Sequence, residues 1–128
     1  GKRVIMVDDS IVRGTTSARI VKLLREAGAR EVHMLVSSPP FRFPCYFGTD
    51  VDSQENLIAC RLASSEDIAR EIGADSLGYL SVDSVHKIAR HAACAFCDGC
   101  FTGQYPIEPP KEAHKDKFEE KIHESEQE

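Results

Sequence analysis

The stretch Val4-Ile5-Met6-Val7-Asp8-Asp9-Ser10-Ile11-Val12-Arg13-Gly14-Thr15-Thr16-Ser17 organises the chain. Its four leading apolar residues predict a strand that is buried on both faces. Two adjacent carboxylates follow, then small and hydroxyl residues, and then the start of a predicted helix. The first N–H groups of a helix lack partners within the helix and attract anions. We therefore expect an anion-binding site at this junction.

The residue types in this junction favour a phosphosugar over a bare phosphate. Gly14 allows the backbone to approach a ligand closely, and the neighbouring hydroxyls are hydrogen-bond donors. Asp8 and Asp9 would repel a phosphate unless they hold a divalent cation or the hydroxyls of a sugar. The alternative is an ordinary βα unit whose acids cap the helix. The pattern is neither a Walker A loop nor a G-x-G-x-x-G fingerprint.

This stretch closely resembles the phosphoribosyl pyrophosphate (PRPP) motif of type I phosphoribosyltransferases, and in particular that of the glutamine PRPP amidotransferase family. The resemblance implies that the adjacent acids hold the ribose hydroxyls and Mg²⁺. It also implies that the loop after them wraps the 5′-phosphate. The positions that carry over as PRPP-binding are Asp8, Asp9, Ser10, Arg13, Gly14, Thr15 and Thr16.

The composition indicates one modest globular domain. The chain has 128 residues, of which 41% are hydrophobic and 29% charged, as in ordinary globular proteins. A formal net charge of −5 gives a nucleic-acid partner no electrostatic support. No apolar run approaches the roughly 20 residues of a membrane span, and no signal peptide precedes the first strand. We expect a cytoplasmic protein without a membrane partner.

The position of the motif predicts that the chain is the C-terminal part of a larger enzyme. Type I phosphoribosyltransferases need strands and a pyrophosphate loop that come before this motif in their sequences. The resemblance also implies a glutaminase domain with a cysteine nucleophile. We expect these parts outside the chain, so its catalytic residues are unknown.

The secondary structure begins with a predicted βαβ unit. Thr15 or Thr16 can cap a helix that ends near Gly28. A strand from Val32 to Val36 should pair in parallel with the first, and His33 within it is interpreted as structural. The expected apolar face of the helix consists of Ile20, Leu23, Leu24 and Ala27.

The rest of the chain predicts short helices and one small strand. Asp52 or Ser53 should start a helix, with Cys60 packed near its end. Ser64 or Ser65 should cap the next helix, which Gly73 ends. A small strand over 77–80 and a helix opening at Ser81, with Val82, Val85, Ala89 and Ala92 on one face, complete the pattern.

The fold class is therefore α/β: a partial type I phosphoribosyltransferase with a Rossmann-like parallel sheet, followed by a mainly helical C-terminal region. We place the phosphoribosyltransferase part at residues 1–80 and a cysteine-containing segment at 81–110. Residues 111–128 form a charged tail that is interpreted as a solvated helix or as disorder.

The five cysteines indicate metal binding more than cross-linking, because their number is odd and no secretion signal is present. Cys97 and Cys100 form a C-x-x-C pair that places two thiolates on one side of a turn. The spacing favours zinc and iron–sulfur equally, with a redox dithiol third. A zinc site would need further ligands, for which Cys45, Cys94 or His91 are candidates. The pair is expected to follow a helix and lead into a loop.

A second resemblance concerns the cysteines. Cys-Asp-Gly-Cys-Phe-Thr-Gly-Gln-Tyr-Pro, at 97–106, resembles the C-terminal signature of the iron–sulfur subclass of PRPP amidotransferases. Pro-Cys-Tyr-Phe-Gly-Thr-Asp, at 44–50, resembles their segment with another cluster cysteine. The resemblance implies that Cys45, Cys97 and Cys100 ligate a 4Fe–4S cluster whose fourth ligand lies outside this chain. Cys60 and Cys94 match no ligand position.

The resemblance implies the first committed step of purine nucleotide synthesis. In that reaction, ammonia from glutamine displaces pyrophosphate from PRPP and gives 5-phosphoribosylamine. Purine nucleotides are the expected feedback inhibitors, and a homo-oligomer is expected. Two alternatives stay open: a different PRPP-dependent phosphoribosyltransferase, and a non-catalytic metal-binding or PRPP-sensing regulatory domain.

Overall fold

A computed structural model describes residues 1–51 and 53–109 of the chain. Its centre is a parallel three-stranded sheet in the order β1-β2-β3. The strands are β1 (Arg3–Asp8), β2 (Glu31–Val36) and β3 (Ser76–Tyr79). In β1 and β2, Val4 lies beside Val32 and Asp8 beside Val36. The predicted βαβ unit and the α/β class are confirmed.

Helices connect the strands and continue beyond the sheet. Helix α1 joins β1 to β2, and a loop, a 3-10 turn (Gln54–Asn56) and two helices join β2 to β3. The helices are α1 (Thr15–Glu26), α2 (Ile58–Arg61), α3 (Ser65–Ile72), α4 (Val82–Ile88) and α5 (Gly99–Thr102). Ser64 caps α3 by accepting a hydrogen bond from the Asp67 N–H, and Gly73 ends it with a φ of 78°. Both predicted boundaries of α3 are confirmed.

The main core lies on one face of the sheet. Val21 of α1 and Ile68 and Ile72 of α3 pack against Val32 and Met34 of β2. Connections between parallel strands are almost always right-handed. Because the strands follow one another across the sheet in the order β1-β2-β3, both connections then lie on the same face. Burying each such side chain contributes roughly 1.5–3 kcal/mol to folding.

The opposite face of the sheet is bare within the described residues. Ile5 is 66% exposed, Val7 68% and Leu35 49%. The prediction that β1 is buried on both faces is therefore wrong for the described part of the chain. The reason is topological: β1 is the edge strand, and both helices α1 and α3 cover the other face.

Helix α1 differs from its prediction at the N-cap and on its buried face. The N-cap is Gly14, without a side-chain cap, and neither Thr15 nor Thr16 takes this role. The buried residues are Ser17 and Val21, while Leu23 is 63% exposed and Ala27 is also exposed. The hydrophobic pattern alone did not distinguish the side that meets the sheet from the neighbouring side.

Two shorter elements also differ from expectation. Cys60, predicted to pack, is exposed on α2, where its thiol lies 3.2 Å from the carbonyl of Arg42. Helix α4 has no buried residue and ends at Ile88, so Ala92 lies beyond it and is exposed. The predicted cap at Ser81 and the predicted third strand are confirmed. Asp52 and the tail 111–128 lie outside the described residues, and the proposed domain limits stay a prediction.

Polar contacts join the beginnings of strands β2 and β3. Asp75 accepts hydrogen bonds from the Val32 N–H and from the Arg25 guanidinium, both at 2.6 Å. The Val32 N–H and, with it, the Arg25 guanidinium hold the pKa of the Asp75 carboxyl below its usual range. His33 contacts the Ser76 hydroxyl at 2.8 Å, which confirms its structural interpretation. Within the described residues, no helix is long and apolar enough to cross a membrane.

Candidate functional site: a carboxylate loop and a cysteine turn

A cavity of about 560 Å³ opens at the carboxyl end of β1. Its walls are the ten consecutive residues 8–17, here called the carboxylate loop, together with Asp50. Ligands of parallel α/β sheets bind at this end of the strands. The cavity brings together all of the residues predicted to bind PRPP: Asp8, Asp9, Ser10, Arg13, Gly14, Thr15 and Thr16.

The two carboxylates are held by short local contacts. One Asp8 oxygen accepts a hydrogen bond from the Asp9 N–H at 3.0 Å. One Asp9 oxygen accepts from the Ser10 hydroxyl at 2.8 Å. The Asp8 carbonyl receives the Ser37 N–H at 3.0 Å, so the end of β2 fixes the backbone at this point. The arrangement places two adjacent carboxylates in the cavity wall, where they can hold a cation.

Gly14 is required by the geometry of the loop for two separate reasons. Its φ is 87°, a left-handed conformation that L side chains rarely adopt. A Cβ at this position would lie 2.5 Å from Cδ1 of Ile58. Because no side chain caps α1, the start of the helix is left open toward the cavity. This is the usual arrangement for binding phosphate at a helix N-terminus.

Helix α2 supports the loop from below. The Ile58 N–H donates to the Val12 carbonyl at 2.9 Å, and the Arg61 guanidinium approaches the Arg13 carbonyl at 3.5 Å. Ile11 is 2% exposed and belongs to the main core. The loop is therefore anchored on both sides of its turn.

Asp50 is a cavity residue that the sequence analysis did not single out. It comes from the loop after β2 and lies in the cavity wall with Asp8 and Asp9. The sequence feature that could have pointed to Asp50 as a site residue is its place directly after Gly48 and Thr49. Within the described residues, no three His, Cys, Asp or Glu side chains are grouped to hold a metal ion. A Mg²⁺ site built from one or two carboxylates, water and substrate oxygens does not need three.

The second region is the cysteine turn, residues 97–103. Helix α5 begins at Gly99, inside the C-x-x-C pair, so the prediction that this pair leads into a loop is wrong. The carbonyl of Cys100 accepts hydrogen bonds from the N–H groups of Arg42 and Phe43, both at 3.0 Å. These bonds join the turn to the loop that carries Cys45.

Aromatic side chains pack between the cysteine turn and the loop that carries Cys45. The Phe41 and Phe101 rings lie 5.0 Å apart, and the Tyr105 hydroxyl donates to the Pro44 carbonyl at 2.7 Å. A Cβ on Gly99 would lie 2.4 Å from the Tyr105 ring. The close fit explains why a glycine stands within the C-x-x-C pair.

The thiols of the predicted ligand set influence one another. Burial, followed by the neighbouring Cys45, raises the pKa of the Cys100 thiol to about 11. Cys97 contributes in the same direction. Without a metal, the Cys100 thiol therefore keeps its proton at neutral pH. No disulfide joins the five cysteines, all of which are described, and Cys60, Cys94 and Cys97 are exposed.

Comparison with known proteins identifies relatives of this chain. No protein-family model matches it. An amidophosphoribosyltransferase of Synechocystis is 54% identical over 92% of the chain, and one of Bacillus subtilis is 57% identical over 84%. The chloroplastic amidophosphoribosyltransferase 1 of Arabidopsis thaliana is 57% identical over 85%. The chain is homologous to one segment of the amidophosphoribosyltransferases.

A solved structure agrees in fold. The glutamine PRPP amidotransferase of B. subtilis, complexed with ADP and GMP, superposes with a TM-score of 0.77 at 54% identity over 87% of this chain. The chain spans 25% of that structure and between 19% and 24% of the three relatives named above. The expectation that it corresponds to part of a larger enzyme is confirmed.

Proposed function

We propose that this chain is the part of a glutamine PRPP amidotransferase that binds the ribose-5-phosphate end of PRPP. The observation that carries the proposal is the cavity at the end of β1, which is lined by two adjacent carboxylates and by an uncapped helix start. The complete enzyme would transfer glutamine-derived ammonia to PRPP, releasing pyrophosphate and forming 5-phosphoribosylamine. This is the first step of purine synthesis.

Each part of the loop has a distinct task in this proposal. Asp8 and Asp9 accept hydrogen bonds from the ribose hydroxyls and hold Mg²⁺, which would offset charge on the leaving pyrophosphate. The 5′-phosphate lies against the start of α1, where backbone N–H groups and the hydroxyls of Ser10, Thr15 and Thr16 donate to it. Arg13 adds positive charge at the same wall. Asp50 faces the cavity as a third acidic group.

In our proposal, Cys97 and Cys100 of the cysteine turn and Cys45 of the loop after β2 supply three of the four ligands of a 4Fe–4S cluster. Two observations support it: Cys45 and Cys97 both raise the pKa of the Cys100 thiol, and Cys45 and Cys100 pack against the same apolar cluster. A cluster spreads its ligands over separate irons, so the cysteines do not need to converge on one ion. Bound iron would also reverse the raised pKa of Cys100, because a coordinated thiol is deprotonated.

The remaining partners follow from the same proposal. Glutamine or ammonia is the second substrate, and purine nucleotides are the feedback inhibitors, as the ADP and GMP in the B. subtilis complex suggest. A homo-oligomer is proposed. We also propose a cytoplasmic location, with the plastid as the corresponding compartment in plants, whose relative is named chloroplastic.

An Asp9→Asn substitution in the complete enzyme tests the central assignment. It removes charge where the cation and the ribose hydroxyls meet, and we expect Mg²⁺-dependent PRPP binding to weaken by about 1.5–3 kcal/mol. Titration calorimetry with PRPP and Mg²⁺ measures this loss. Asp83→Asn, on exposed α4, is the matched control and should bind as the wild type does. Equal affinities of the Asp9 variant and the control would refute the assignment.

A further inference from the structure

His86 touches the residues on both sides of Cys97. Its Nε2 lies 2.8 Å from Oδ2 of Asp98, and its ring meets the Phe96 ring edge-on at 5.3 Å. His86 belongs to α4, whereas residues 90–97 form an exposed connection to the cysteine turn. The histidine thus joins the end of this connection directly to a helix.

Asp98 carries this contact into the turn. Its side chain is only 18% exposed, compared with 54% for His86. Its second carboxylate oxygen accepts a hydrogen bond from the Thr102 hydroxyl at 3.3 Å. Its backbone carbonyl accepts from the N–H of Phe101 at 2.9 Å and of Thr102 at 3.1 Å. Asp98 therefore connects α4 to the first turn of α5.

Apart from the contacts of His86, Cys100 has more attachments to the rest of the fold than Cys97 has. Cys100 is fixed by hydrogen bonds to Arg42 and Phe43 and by the aromatic contacts of its neighbour Phe101. Cys97 is exposed, and the described hydrogen bonds give its own backbone no such attachment. The residues on either side of it, Phe96 and Asp98, both contact His86.

We infer that His86 is a positioning residue that fixes Cys97 for metal binding by holding Asp98 and Phe96 on either side of it. This inference rests on the proposed function, because it concerns the proposed iron–sulfur site. The imidazole N–H also engages the Asp98 carboxylate, whose negative charge otherwise faces thiolates of the same sign. Such supporting contacts orient ligands and affect metal affinity by about 10–100-fold.

The test follows release of iron from the complete, iron-loaded enzyme under a chelator. His86→Leu removes the hydrogen bond while keeping apolar bulk, and we expect iron release, measured as loss of visible absorbance, to accelerate about tenfold. His86→Gln can still donate to Asp98 and should restore most of the wild-type rate. Lys87→Leu is the control, since Lys87 is the exposed neighbour of His86 on α4 and belongs to no candidate ligand set.

The outcomes separate this inference from the proposed function. If the wild type holds iron and His86→Leu releases it no faster than Lys87→Leu, the role of His86 is refuted and the cluster proposal stands. Faster release from both His86 variants equally would also refute it, because the hydrogen bond would not be the cause. A wild type that binds no iron at all would refute the cluster proposal and this inference together. Melting temperatures that match the control would exclude general unfolding as the cause of faster release.

Discussion

The cavity draws ten of its eleven lining residues from one continuous stretch, the carboxylate loop, whereas the cysteine turn packs against a distant part of the chain that carries Cys45. The loop needs only a strand end, a turn and a helix start, which local sequence supplies. The turn depends on long-range contacts, such as the Tyr105 hydroxyl on the Pro44 carbonyl. The geometry of the carboxylate loop is therefore set by local sequence, and that of the cysteine turn by tertiary packing.

The two regions nevertheless share a small core. Phe41, Val51 and Leu57 form an apolar cluster that contacts Val12 of the loop on one side. The same cluster contacts Cys45, Cys100 and Phe101 on the other side. Damage to one region can therefore reach the other through these side chains.

The largest expected effect comes from breaking the loop at Gly14. Gly14→Ala adds a strained φ, and its Cβ would meet Ile58, so we expect a loss of roughly 2–5 kcal/mol in folding free energy. PRPP binding should fall with it, because the start of α1 shifts. Melting temperature and PRPP calorimetry on the complete enzyme measure both effects.

Gly48→Ala is the matched control for this prediction. Gly48 also has a positive φ, of 132°, but a Cβ there would meet no atom within 4 Å. It isolates backbone strain from the clash with Ile58. If both variants lose the same stability and PRPP affinity, the close contact under the loop has no importance.

A smaller effect is expected from Gly99→Ala in the cysteine turn. The new methyl group would press on the Tyr105 ring, at a cost of about 1–3 kcal/mol. We expect faster iron release under a chelator with PRPP affinity unchanged, since neither Gly99 nor Tyr105 lines the cavity. Adding Tyr105→Leu should relieve part of the defect. A loss of PRPP affinity equal to that of Gly14→Ala would show that the two regions form one unit.

The smallest expected effect is a dependence of local stability on pH. It should appear in the sheet beside Asp75 and not in the cysteine turn. The lowered pKa of Asp75 means that its carboxylate stabilises the fold above the unfolded pKa of about 3.9. That contribution is lost as the pH falls through the lower pKa of the folded state. We expect Asp75→Asn to speed amide hydrogen exchange in β2 at neutral pH, with the difference from wild type shrinking toward acid. Exchange in the cysteine turn serves as the internal control and should not change.

Sequence reasoning succeeded where short-range chemistry decides the structure. The parallel strands, the Ser64 and Ser81 caps and the Gly73 stop follow from local propensity and were confirmed. It failed where packing decides. Leu23 and Ile20 were predicted to face the core, but Val21 is the residue of α1 that packs against the sheet. Cys60 was predicted to pack but is exposed. Which side of a short helix is buried depends on the angle at which it meets its neighbour.

The amino-acid sequence accounts for the strand–loop–helix that forms the cavity, because these residues are consecutive and Gly14 can adopt the left-handed conformation that the turn requires. It also indicated the relatives, since Asp8 to Ser17 and Cys97 to Pro106 carry the resemblance. Only the tertiary structure placed Asp50 in the cavity wall and His86 beside Cys97. These contacts join residues that are far apart in the chain, and hydrophobic packing in the core sets their distances.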